Sequence, residues 1–501
     1  MVALNFSEVV GSPSSSQKLI NLLRGHTAPL PATHVLRFNT YPFVSWLTSS
    51  SRRWPNTSLL PTSILEKASQ RVFHSAAINP ALLYGPDDGD EKLRVQLASW
   101  FTTFFPHCSS VKDRICITGG ASQNLACLLQ SFTDPLYTRN VFIVSPAYML
   151  AFRIFQDSAL SLRAVPEDDE GIDVDFLQQE LKKSDKTAGN NDSCLKPDRP
   201  WGKVYRHVIY AVPAFSNPSS KTMTLKRREE LVRLAREHNA LIIADDVYDF
   251  LQWPASLTAE SLSLDKAILP RLVDIDRYLD GGTEREGADG FGNAASNGSF
   301  SKIAAPGIRT GWCEGTAKFA YGVSQTGSTR SGGAPSQLAA TFLAEALESG
   351  ELQRHVYETL QPSYGIRYQR MVTAINEELI PLGVRLPQTD RDVVGGYFIW
   401  ITLPDPLKGA VVAQRCRDEE NLAVAQGEIF EVPGDTDRKG THFENALRVC
   451  FAWEEEDMLA EGIRRLARVI RKIQAEQNGS EKNPEATSTA TATEETAKDF
   501  W

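Results

Sequence analysis

The segment 207–246 alternates strand, helix and strand, and this alternation restricts the possible fold more than any other feature of the chain. HVIYAVP (207–213) and ALIIADD (240–246) are short, continuous apolar runs. Between them, LKRREELVRLAREHN (225–239) carries its apolar residues at helical spacing, with charges elsewhere. Continuous apolar runs are typical of parallel strands that are covered on both faces. The order therefore predicts a βαβ unit within an α/β fold.

Three further runs extend this pattern. VFIVSP (141–146) predicts another strand, and GGYFIWITLP (395–404) and ALRVCFAW (446–453) predict strands in the last third of the chain. An amphipathic helix follows, with one apolar stripe formed by Leu459, Ile463, Leu466 and Ile470. We interpret this last third as a separate α+β domain. Because ligands of open α/β sheets bind beyond the carboxyl ends of strands, Pro146 and Asp245 mark the expected position of a site.

Length, charge and cysteine content limit the class of protein. A chain of 501 residues is too long for one small core, so two domains are expected. The formal net charge of −9 argues against a nucleic acid or an anionic membrane as the main partner. We find no secretory signal, transit peptide or apolar run of membrane-spanning length. Seven scattered cysteines without a CxxC pair favour a reduced, soluble, cytoplasmic protein without a metal site.

Three stretches lack the pattern of a packed element. Residues 182–200 and 280–298 are polar and rich in turn formers, so both are predicted to be surface insertions between regular elements. The end of the chain, 474–501, has few apolar residues and is predicted to be a disordered tail.

The segment GSFSKIAAPGIRTGW (298–312) contains the strongest chemical pattern. Lys302 alone, in a loop rich in serine and glycine, would usually be a solvated charge. Its neighbours Ser299, Ser301 and Arg309 supply hydroxyls and a planar cation. A lysine nucleophile beside phosphate-binding groups suits a phosphate-bearing aldehyde, with the lysine forming the covalent link.

This segment resembles the lysine motif of the fold-type I aminotransferases of class I and II, in the branch that includes aminoadipate and aromatic aminotransferases. The resemblance implies pyridoxal 5′-phosphate as the cofactor, carried by Lys302. It also implies a large cofactor-binding domain (71–340), built on a mostly parallel seven-stranded sheet between helices. A smaller α+β domain (341–473) would follow, with an N-terminal arm (1–70) that contributes to it.

Two segments in the first half of the chain match the family in the same order. ICITGGASQNLACLLQ (115–130) predicts a strand, a glycine turn and a helix. Helix N-termini bind anions, and the resemblance assigns the cofactor phosphate to Ala121 and Ser122. In SPAYMLAF (145–152), it assigns stacking on the cofactor ring to Tyr148. Without the resemblance, these would be a tight turn and a core or rim tyrosine.

The next two matches concern the ring of the cofactor. VPAFSNPSSKT (212–222) resembles P-x-x-x-N-P-T-G, so Asn217 would donate to the phenolic oxygen, although serines replace the threonine and the glycine. In LIIADDVYDFLQW (241–253), the resemblance places Asp245 at the pyridine nitrogen and Tyr248 at the phenolic oxygen. Asp246 is the alternative, but strand alternation points it the other way. The two acids could also simply cap a helix.

Two more residues concern the partner subunit and the substrate. ALLYGPDDGDEKLR (81–94) resembles the family segment whose tyrosine reaches the phosphate of a neighbouring subunit, so Tyr84 implies a homodimer. NALRVCFAW (445–453) resembles the segment that carries the carboxylate-binding arginine. Arg448 lies in an apolar strand, and a buried arginine needs an anion, either the substrate with help from Asn217 or a structural carboxylate.

The resemblance implies an aminotransferase that moves the amino group of an L-amino acid, aromatic or aminoadipate-like, to a 2-oxo acid such as 2-oxoglutarate. The alternative is a β-eliminating C–S lyase, which would use the same Lys302, Asp245 and Arg448 on the same fold. The effector domain of a DNA-binding regulator is disfavoured by the negative charge. A non-catalytic scaffold is disfavoured by the joint presence of lysine, aspartate, tyrosine and arginine.

Overall fold

The computed structural model describes residues 48–49, 54–187, 193–256, 268–387, 391–435 and 440–480. Its strands are β1 (Thr48–Ser49), β2 (Ile115–Thr118), β3 (Asn140–Ser145), β4 (Leu162–Asp168), β5 (Gly171–Ile172), β6 (His207–Ala211), β7 (Ala240–Asp245), β8 (Gln252–Pro254), β9 (Ala294–Ser299), β10 (Gly311–Glu314), β11 (Val393–Gly395), β12 (Phe398–Thr402), β13 (Leu422–Ala423), β14 (Ala425–Gln426) and β15 (Ala446–Cys450).

Its helices are α1 (Thr62–Phe73), α2 (Ile78–Ala81), α3 (Glu91–Phe104), α4 (Ala121–Phe132), α5 (Met149–Asp157), α6 (Val174–Thr187), α7 (Leu225–Glu237), α8 (Leu272–Tyr278), α9 (Ala317–Ser324), α10 (Gly327–Arg330), α11 (Gln337–Glu348), α12 (Glu351–Arg354), α13 (Gln361–Glu378), α14 (Gly409–Glu420) and α15 (Met458–Ser480). A π-helical turn, His355–Leu360, joins α12 to α13. None of the helices among the described residues is both long and apolar enough to span a membrane.

The main sheet has the order β2-β10-β9-β7-β6-β3-β4-β5. The central pairings, from β4 through β3, β6 and β7 to β9, are parallel, whereas β10 and β2 at one edge and β5 at the other pair antiparallel. This arrangement confirms the predicted α/β fold with a mostly parallel sheet. The difference from the predicted seven strands is β5, a two-residue strand that turns back on the end of β4.

Helices cover both faces of this sheet. Successive strand residues point to opposite sides, so one strand contributes side chains to two cores. Leu241 and Ile243 pack into a core with α4 and α5, whereas Ile242 and Ala244 pack into a separate core with α6, α7 and α8. Every residue of β6 and β7 is buried. This double burial is the reason that both strands appear in the sequence as continuous apolar runs.

A second, three-stranded antiparallel sheet has the order β12-β15-β14. Its apolar side chains pack with those of α13, α14 and α15 in one hydrophobic core. The strands β12 and β15 lie within the runs that predicted them. The domain boundaries at 71–340 and 341–473 stay a prediction, and residues 1–47 of the predicted arm lie outside the described residues.

The interpretation of residues 280–298 as a surface insertion is wrong in its last part. Ala294–Ser299 form β9, which lies between β7 and β10 and is buried throughout. The strand is polar and small because its neighbours approach closely. A side chain at Gly298 would come within 2.0 Å of the indole of Trp312. Asn297 also uses its amide in the core, where it accepts from Asn124 at 2.8 Å.

Two other predicted irregular segments are partly described. The start of the predicted tail at 474 is seven residues too early, because α15 continues to Ser480. Polar contacts hold this extension, since Gln474 donates to the Leu382 carbonyl and Glu476 pairs with Arg415. In the predicted insertion 182–200, the first residues belong to α6 and residues 193–200 have no regular structure. Residues 188–192 and 481–501 lie outside the described residues.

Candidate active site

A cavity of about 300 Å³ lies beyond the carboxyl ends of β6 and β7. This position and volume are typical of small-molecule sites in α/β proteins. The residues that line it include ten of the predicted site residues, namely Ala121, Ser122, Tyr148, Asn217, Asp245, Tyr248, Ser299, Ser301, Lys302 and Arg309. The structure therefore brings together segments that are up to 188 residues apart in the sequence.

Lys302 is the third residue after the end of β9 and reaches the cavity from the loop that follows this strand. Its Nζ atom lies 5.0 Å from the ring centroid of Tyr397 and 5.9 Å from that of Tyr248. The Tyr397 hydroxyl donates to the Lys302 carbonyl at 3.2 Å and contacts the Tyr364 hydroxyl at 3.1 Å. Both phenols are fully buried, and the residue just before β12 thus holds the backbone of the lysine, whose side chain lines the cavity.

Asp245 ends β7 on the same face as Ile243, and this alternation turns its carboxyl group to the cavity. The Tyr210 hydroxyl, on the neighbouring strand β6, donates to its Oδ2 atom at 2.5 Å. Its Oδ1 atom is buried without a hydrogen-bond partner. Burial raises the pKa of Asp245 to about 6, against the opposing effects of the Tyr210 hydrogen bond and the Lys302 charge.

Asp246 does not line the cavity, as the alternation predicted. Burial raises the pKa of its carboxyl group well above the usual range, and the nearby charge of Asp249 raises it further. The charges of Arg271 and Arg228 act in the opposite direction. Asp246 therefore belongs to a buried polar group on the other side of the sheet.

An anion cradle forms around the N-terminus of α4. This helix has no acidic residue in its first turn and no side chain capping its start, so its first N–H groups and its dipole favour an anion. Gly120, with φ of +93°, precedes it, and a side chain there would come within 2.9 Å of Arg309 Nη2. Ser299 Oγ donates to Ser301 Oγ at 2.9 Å, and Arg309 Nη1 lies 3.5 Å from Ser301 Oγ.

Arg448 lies behind the cavity wall rather than in it. It is fully buried on β15, with its guanidinium group 3.9 Å from the ring centroid of Phe398. Its Nη1 atom donates to Asn217 Oδ1 at 2.8 Å. Because this bond occupies the amide oxygen of Asn217, the NH₂ group is the part of that side chain available as a donor to a ligand.

The turn after Asn217 keeps a left-handed residue where the family pattern has glycine. Ser220 has φ of +65°. Its hydroxyl donates to the Phe398 carbonyl at 2.8 Å, and its N–H donates to the Ser216 carbonyl at 2.7 Å. These bonds hold a backbone conformation that costs a non-glycine residue about 1–2 kcal/mol.

We expect Ser220→Ala to destabilise the protein by about 1 kcal/mol, because it loses the hydroxyl bond and keeps the strain. Ser220→Gly loses the same bond but relieves the strain, so its stability should stay within about 1 kcal/mol of the wild type. Chemical unfolding midpoints of the three proteins measure this difference. An alanine variant as stable as the wild type would contradict the role of the hydroxyl.

Tyr148 and Tyr248 both line the cavity. Tyr148 follows the end of β3, and Tyr248 follows the end of β7. Tyr148 immediately precedes α5, and Tyr248 is buried with its ring 5.5 Å from that of Tyr397. Tyr84 lies outside the cavity and is 90% exposed. Its position within one chain therefore leaves it accessible to another molecule.

Sequence reasoning missed Tyr210, Tyr397 and Trp54. Tyr210 was visible as a hydroxyl in an otherwise apolar strand, HVIYAVP, where a buried phenol needs an acceptor. Tyr397 stands in the run GGYFIWITLP and gave a similar signal. Trp54 lines the cavity from a segment in which no motif was recognised.

A second buried polar group lies near β10, where Cys108, Asp274 and Glu314 have ligand atoms within 4.8 Å of one another. Arg271 occupies its centre, with 2.8 Å ion pairs to both Asp274 and Glu314. These charges compensate each other in the core, so we interpret the group as a structural ion cluster.

The cavity fits the cofactor that the sequence resemblance implies. The buried, unpartnered Oδ1 of Asp245 suits a protonated pyridine nitrogen, since a buried carboxylate needs a charged or donor partner. The helix N-terminus and Arg309 suit a phosphate. Lys302 supplies an amine for a covalent link to an aldehyde.

The comparisons with known proteins agree with this fit. Residues 45–466 match the family model of class I and II aminotransferases. Aromatic-amino-acid aminotransferase 1 of Thermococcus litoralis is 28% identical, over 83% of this chain and 86% of that protein.

Two solved structures share the fold. Kynurenine aminotransferase of Pyrococcus horikoshii, in complex with PMP, KYN and KYA, has a TM-score of 0.69 and 25% identity, covering 94% of this chain and 97% of that one. The α-aminoadipate aminotransferase LysN of Thermus thermophilus, complexed with N-(5′-phosphopyridoxyl)-L-leucine, has a TM-score of 0.66 and 26% identity, covering 85% and 93%. The chain therefore belongs to the class I and II aminotransferases and is a pyridoxal-phosphate-dependent transaminase of fold type I.

Proposed function

We propose that the protein transfers the amino group of an aromatic or aminoadipate-like L-amino acid to a 2-oxo acid such as 2-oxoglutarate. The observation that carries the proposal is that Lys302 and Asp245 line one cavity, with an anion cradle at the same cavity. The activities named for the similar proteins from Thermococcus, Pyrococcus and Thermus support the substrate class.

Pyridoxal phosphate, when bound, supplies an electron sink that stabilises negative charge at the substrate Cα atom. Lys302 would hold the cofactor through its amine, and the same amine would take the proton from the Cα atom of the substrate. It would then return that proton, so one side chain would act first as base and then as acid. Tyr397 keeps the backbone of this lysine in place through its carbonyl.

Four side chains hold the ring in the proposed site. The Asp245 carboxylate holds a proton on the pyridine nitrogen, and Tyr210 orients that carboxylate. Asn217 Nδ2 and the Tyr248 hydroxyl donate to the phenolic oxygen, while Tyr148 stacks on the ring. The Ala121 and Ser122 backbone, Ser299, Ser301 and Arg309 bind the phosphate.

We also propose that Arg448, together with Asn217, binds the α-carboxylate that donor and acceptor share. A buried guanidinium group next to the cavity wall is suited to a bidentate carboxylate.

The high exposure of Tyr84 supports a homodimer in which this residue reaches the phosphate of the partner's site. We propose the cytoplasm as the location, on the basis of six buried cysteines that form no disulfide.

The direct test is a screen of amino donors with and without 2-oxoglutarate. We expect product from aromatic or aminoadipate-like donors only when the 2-oxo acid is present, with glutamate formed in equal amount. The C–S lyase alternative is not favoured by the aminotransferase relatives. Release of pyruvate and ammonia from a single amino acid, without an acceptor, would overturn the proposed reaction.

We expect Tyr210→Phe to shift the pH dependence of cofactor binding. The Tyr210 hydroxyl lowers the pKa of Asp245, so its removal raises that pKa above about 6. As the pH falls, protonation of Asp245 weakens cofactor binding, and in the variant this weakening should begin about one pH unit higher than in the wild type. The size follows from the contribution of a hydrogen bond to a charged group, about 1.5–3 kcal/mol. Spectroscopic titration of the apoprotein with pyridoxal phosphate at several pH values measures this shift.

The matched control is Tyr205→Phe. Tyr205 is equally buried, but its hydroxyl donates to the Gly292 carbonyl and not to Asp245. The pH profile of this variant should equal that of the wild type. If both variants shift the profile alike, the hydrogen bond to Asp245 does not set it.

A further inference from the structure

Asn297 is a buried polar residue of the main sheet whose side chain the proposed function does not use. It lies on β9, is 1% exposed and lines the cavity. Its register partner on the neighbouring strand β7 is Asp245, and its carbonyl accepts the N–H of Asp246 at 3.1 Å. Because neighbouring strands lie about 4.8 Å apart, the backbone of Asn297 has a fixed position beside Asp245.

The side chain of Asn297 connects β9 to the start of α4. Its Nδ2 atom donates at 3.1 Å to the carbonyl of Ala121, the first residue of that helix. Its Oδ1 atom accepts from Nδ2 of Asn124, three residues further along the helix, at 2.8 Å. Asn124 is itself fully buried. Two hydrogen bonds from one amide group therefore fix the first turn of α4 against β9.

The two elements that this amide group joins are also the two sides of the anion cradle. One side is the N-terminus of α4, whose first N–H groups favour an anion. The other side is the end of β9 and the loop after it, where the Ser301 N–H donates to Ser299 Oγ at 3.1 Å and Ser299 Oγ donates to Ser301 Oγ at 2.9 Å. Asn297 thus lies between the halves of the cradle and beside Asp245.

A polar side chain at this position has a physical reason. An apolar residue in a buried strand could fill the same space without the cost of burying an amide group. Apolar contacts have no preferred direction, however, whereas hydrogen bonds depend steeply on distance and angle. The amide group of Asn297 can therefore fix the position and orientation of a helix end, which packing alone would leave less well defined.

We propose that Asn297 is a positioning residue that holds the N-terminus of α4 in place relative to Asp245, so that one cofactor molecule reaches both. This inference rests on the proposed function, in which Asp245 binds the pyridine nitrogen and the start of α4 binds the phosphate. Asn297 acts on the phosphate through the first turn of the helix, by its bond to the Ala121 carbonyl.

The test compares the binding of pyridoxal 5′-phosphate and of pyridoxal, which has no phosphate, to the apoprotein by equilibrium absorbance titration. Both aldehydes can react with the Lys302 amine, so the ratio of their dissociation constants isolates the phosphate. We expect the wild type to bind pyridoxal 5′-phosphate at least about 100-fold more tightly than pyridoxal. Asn297→Ala should weaken pyridoxal 5′-phosphate about tenfold and pyridoxal less than about threefold.

A second variant reaches the same contact from the helix. Asn124→Ala removes the bond that orients the Asn297 amide group, and alanine is the best helix former, so α4 should still fold. We expect it to weaken pyridoxal 5′-phosphate about threefold and to leave pyridoxal binding unchanged. If Asn297→Ala does not fold, this variant decides alone, and an unchanged ratio of the two dissociation constants would overturn the proposal.

The matched control is Asn293→Ala. Asn293 is also a buried asparagine, 3% exposed, and its Nδ2 atom donates to the Ala240 carbonyl at 2.8 Å. It directly precedes the other end of β9 and does not line the cavity. This variant should keep the wild-type ratio. If it lowers the ratio as much as Asn297→Ala does, the effect comes from the loss of any buried amide group, and the proposal is wrong.

The remaining outcomes separate this inference from the proposed function. If amino donors react but Asn297→Ala weakens both aldehydes equally, its amide group acts on the ring, so the inference fails and the proposed function stands. If no donor transfers its amino group but the ratio still depends on Asn297, the proposed reaction fails and the positioning role stands. Equal binding of both aldehydes by the wild type would overturn the assignment of the phosphate and, with it, the inference.

Discussion

Lys302→Ala is expected to lower kcat by at least about 10⁴-fold. The substitution removes two contributions at once, because the same amine attaches the cofactor and transfers the Cα proton. Proton transfer by a positioned side chain alone contributes about 10²–10⁴-fold, and loss of the covalent route adds to it. The side chain lines a cavity, so the free energy of unfolding should change by less than about 1 kcal/mol.

A second measurement checks the role of Lys302 independently of turnover. Borohydride reduction of the cofactor-loaded wild type, followed by peptide mapping, should place the pyridoxyl group on Lys302. Lys318→Ala is the control, since Lys318 donates to the Asp289 carbonyl away from the cavity and should leave kcat unchanged. A pyridoxyl group on any other lysine would show that the assignment of Lys302 is wrong.

Asp245→Asn is expected to lower kcat by about 10²–10³-fold. In the proposed site, the carboxylate is the partner of the protonated pyridine nitrogen. Removal of one partner of a buried ion pair costs about 3–5 kcal/mol, and an asparagine leaves the ring a much weaker acceptor of electrons. Single-turnover measurements with an aromatic donor isolate this effect from cofactor loading.

The same substitution should stabilise the cofactor-free protein at pH 7. The pKa of Asp245 is raised in the folded state from 3.8 to about 6, so the folded protein binds this proton more tightly than the unfolded chain. The stability of the apoprotein therefore falls as the pH rises from about 4 to about 6, and it stays low above that range. Since one pKa unit corresponds to about 1.4 kcal/mol, Asp245→Asn should gain about 1–3 kcal/mol at pH 7.

Asp246→Asn is the matched control, because it changes the adjacent carboxyl group on the opposite face of β7. Its kcat should stay within about threefold of the wild type, since Asp246 does not line the cavity. If Asp246→Asn loses as much activity as Asp245→Asn, the assignment by strand alternation is wrong. If the Asp245→Asn apoprotein is less stable than the wild type at pH 7, the buried carboxylate is better compensated than its environment indicates.

The parts of the fold with a strong local pattern could be predicted from the sequence. β6, α7 and β7 lie within a few residues of the runs 207–213, 225–239 and 240–246. A parallel strand that is buried on both faces needs a continuous apolar run, so these strands could be recognised in the sequence. β9 could not be recognised, because its residues are small and polar, and its burial depends on pairing with β10 on one side and with the distant strand β7 on the other.

The sequence by itself determined which residues lie at the ends of the predicted strands. Asp245 directly follows an apolar run, and alternation along the strand distinguished it from Asp246, because side-chain direction along a strand is a local property. Only the tertiary structure decided which groups meet there. The Tyr210–Asp245 bond, the Arg448–Asn217 bond and the place of Trp54 at the cavity depend on register and packing between segments that are distant in the chain. No local pattern encodes such contacts, since they arise only when the sheets and helices pack together.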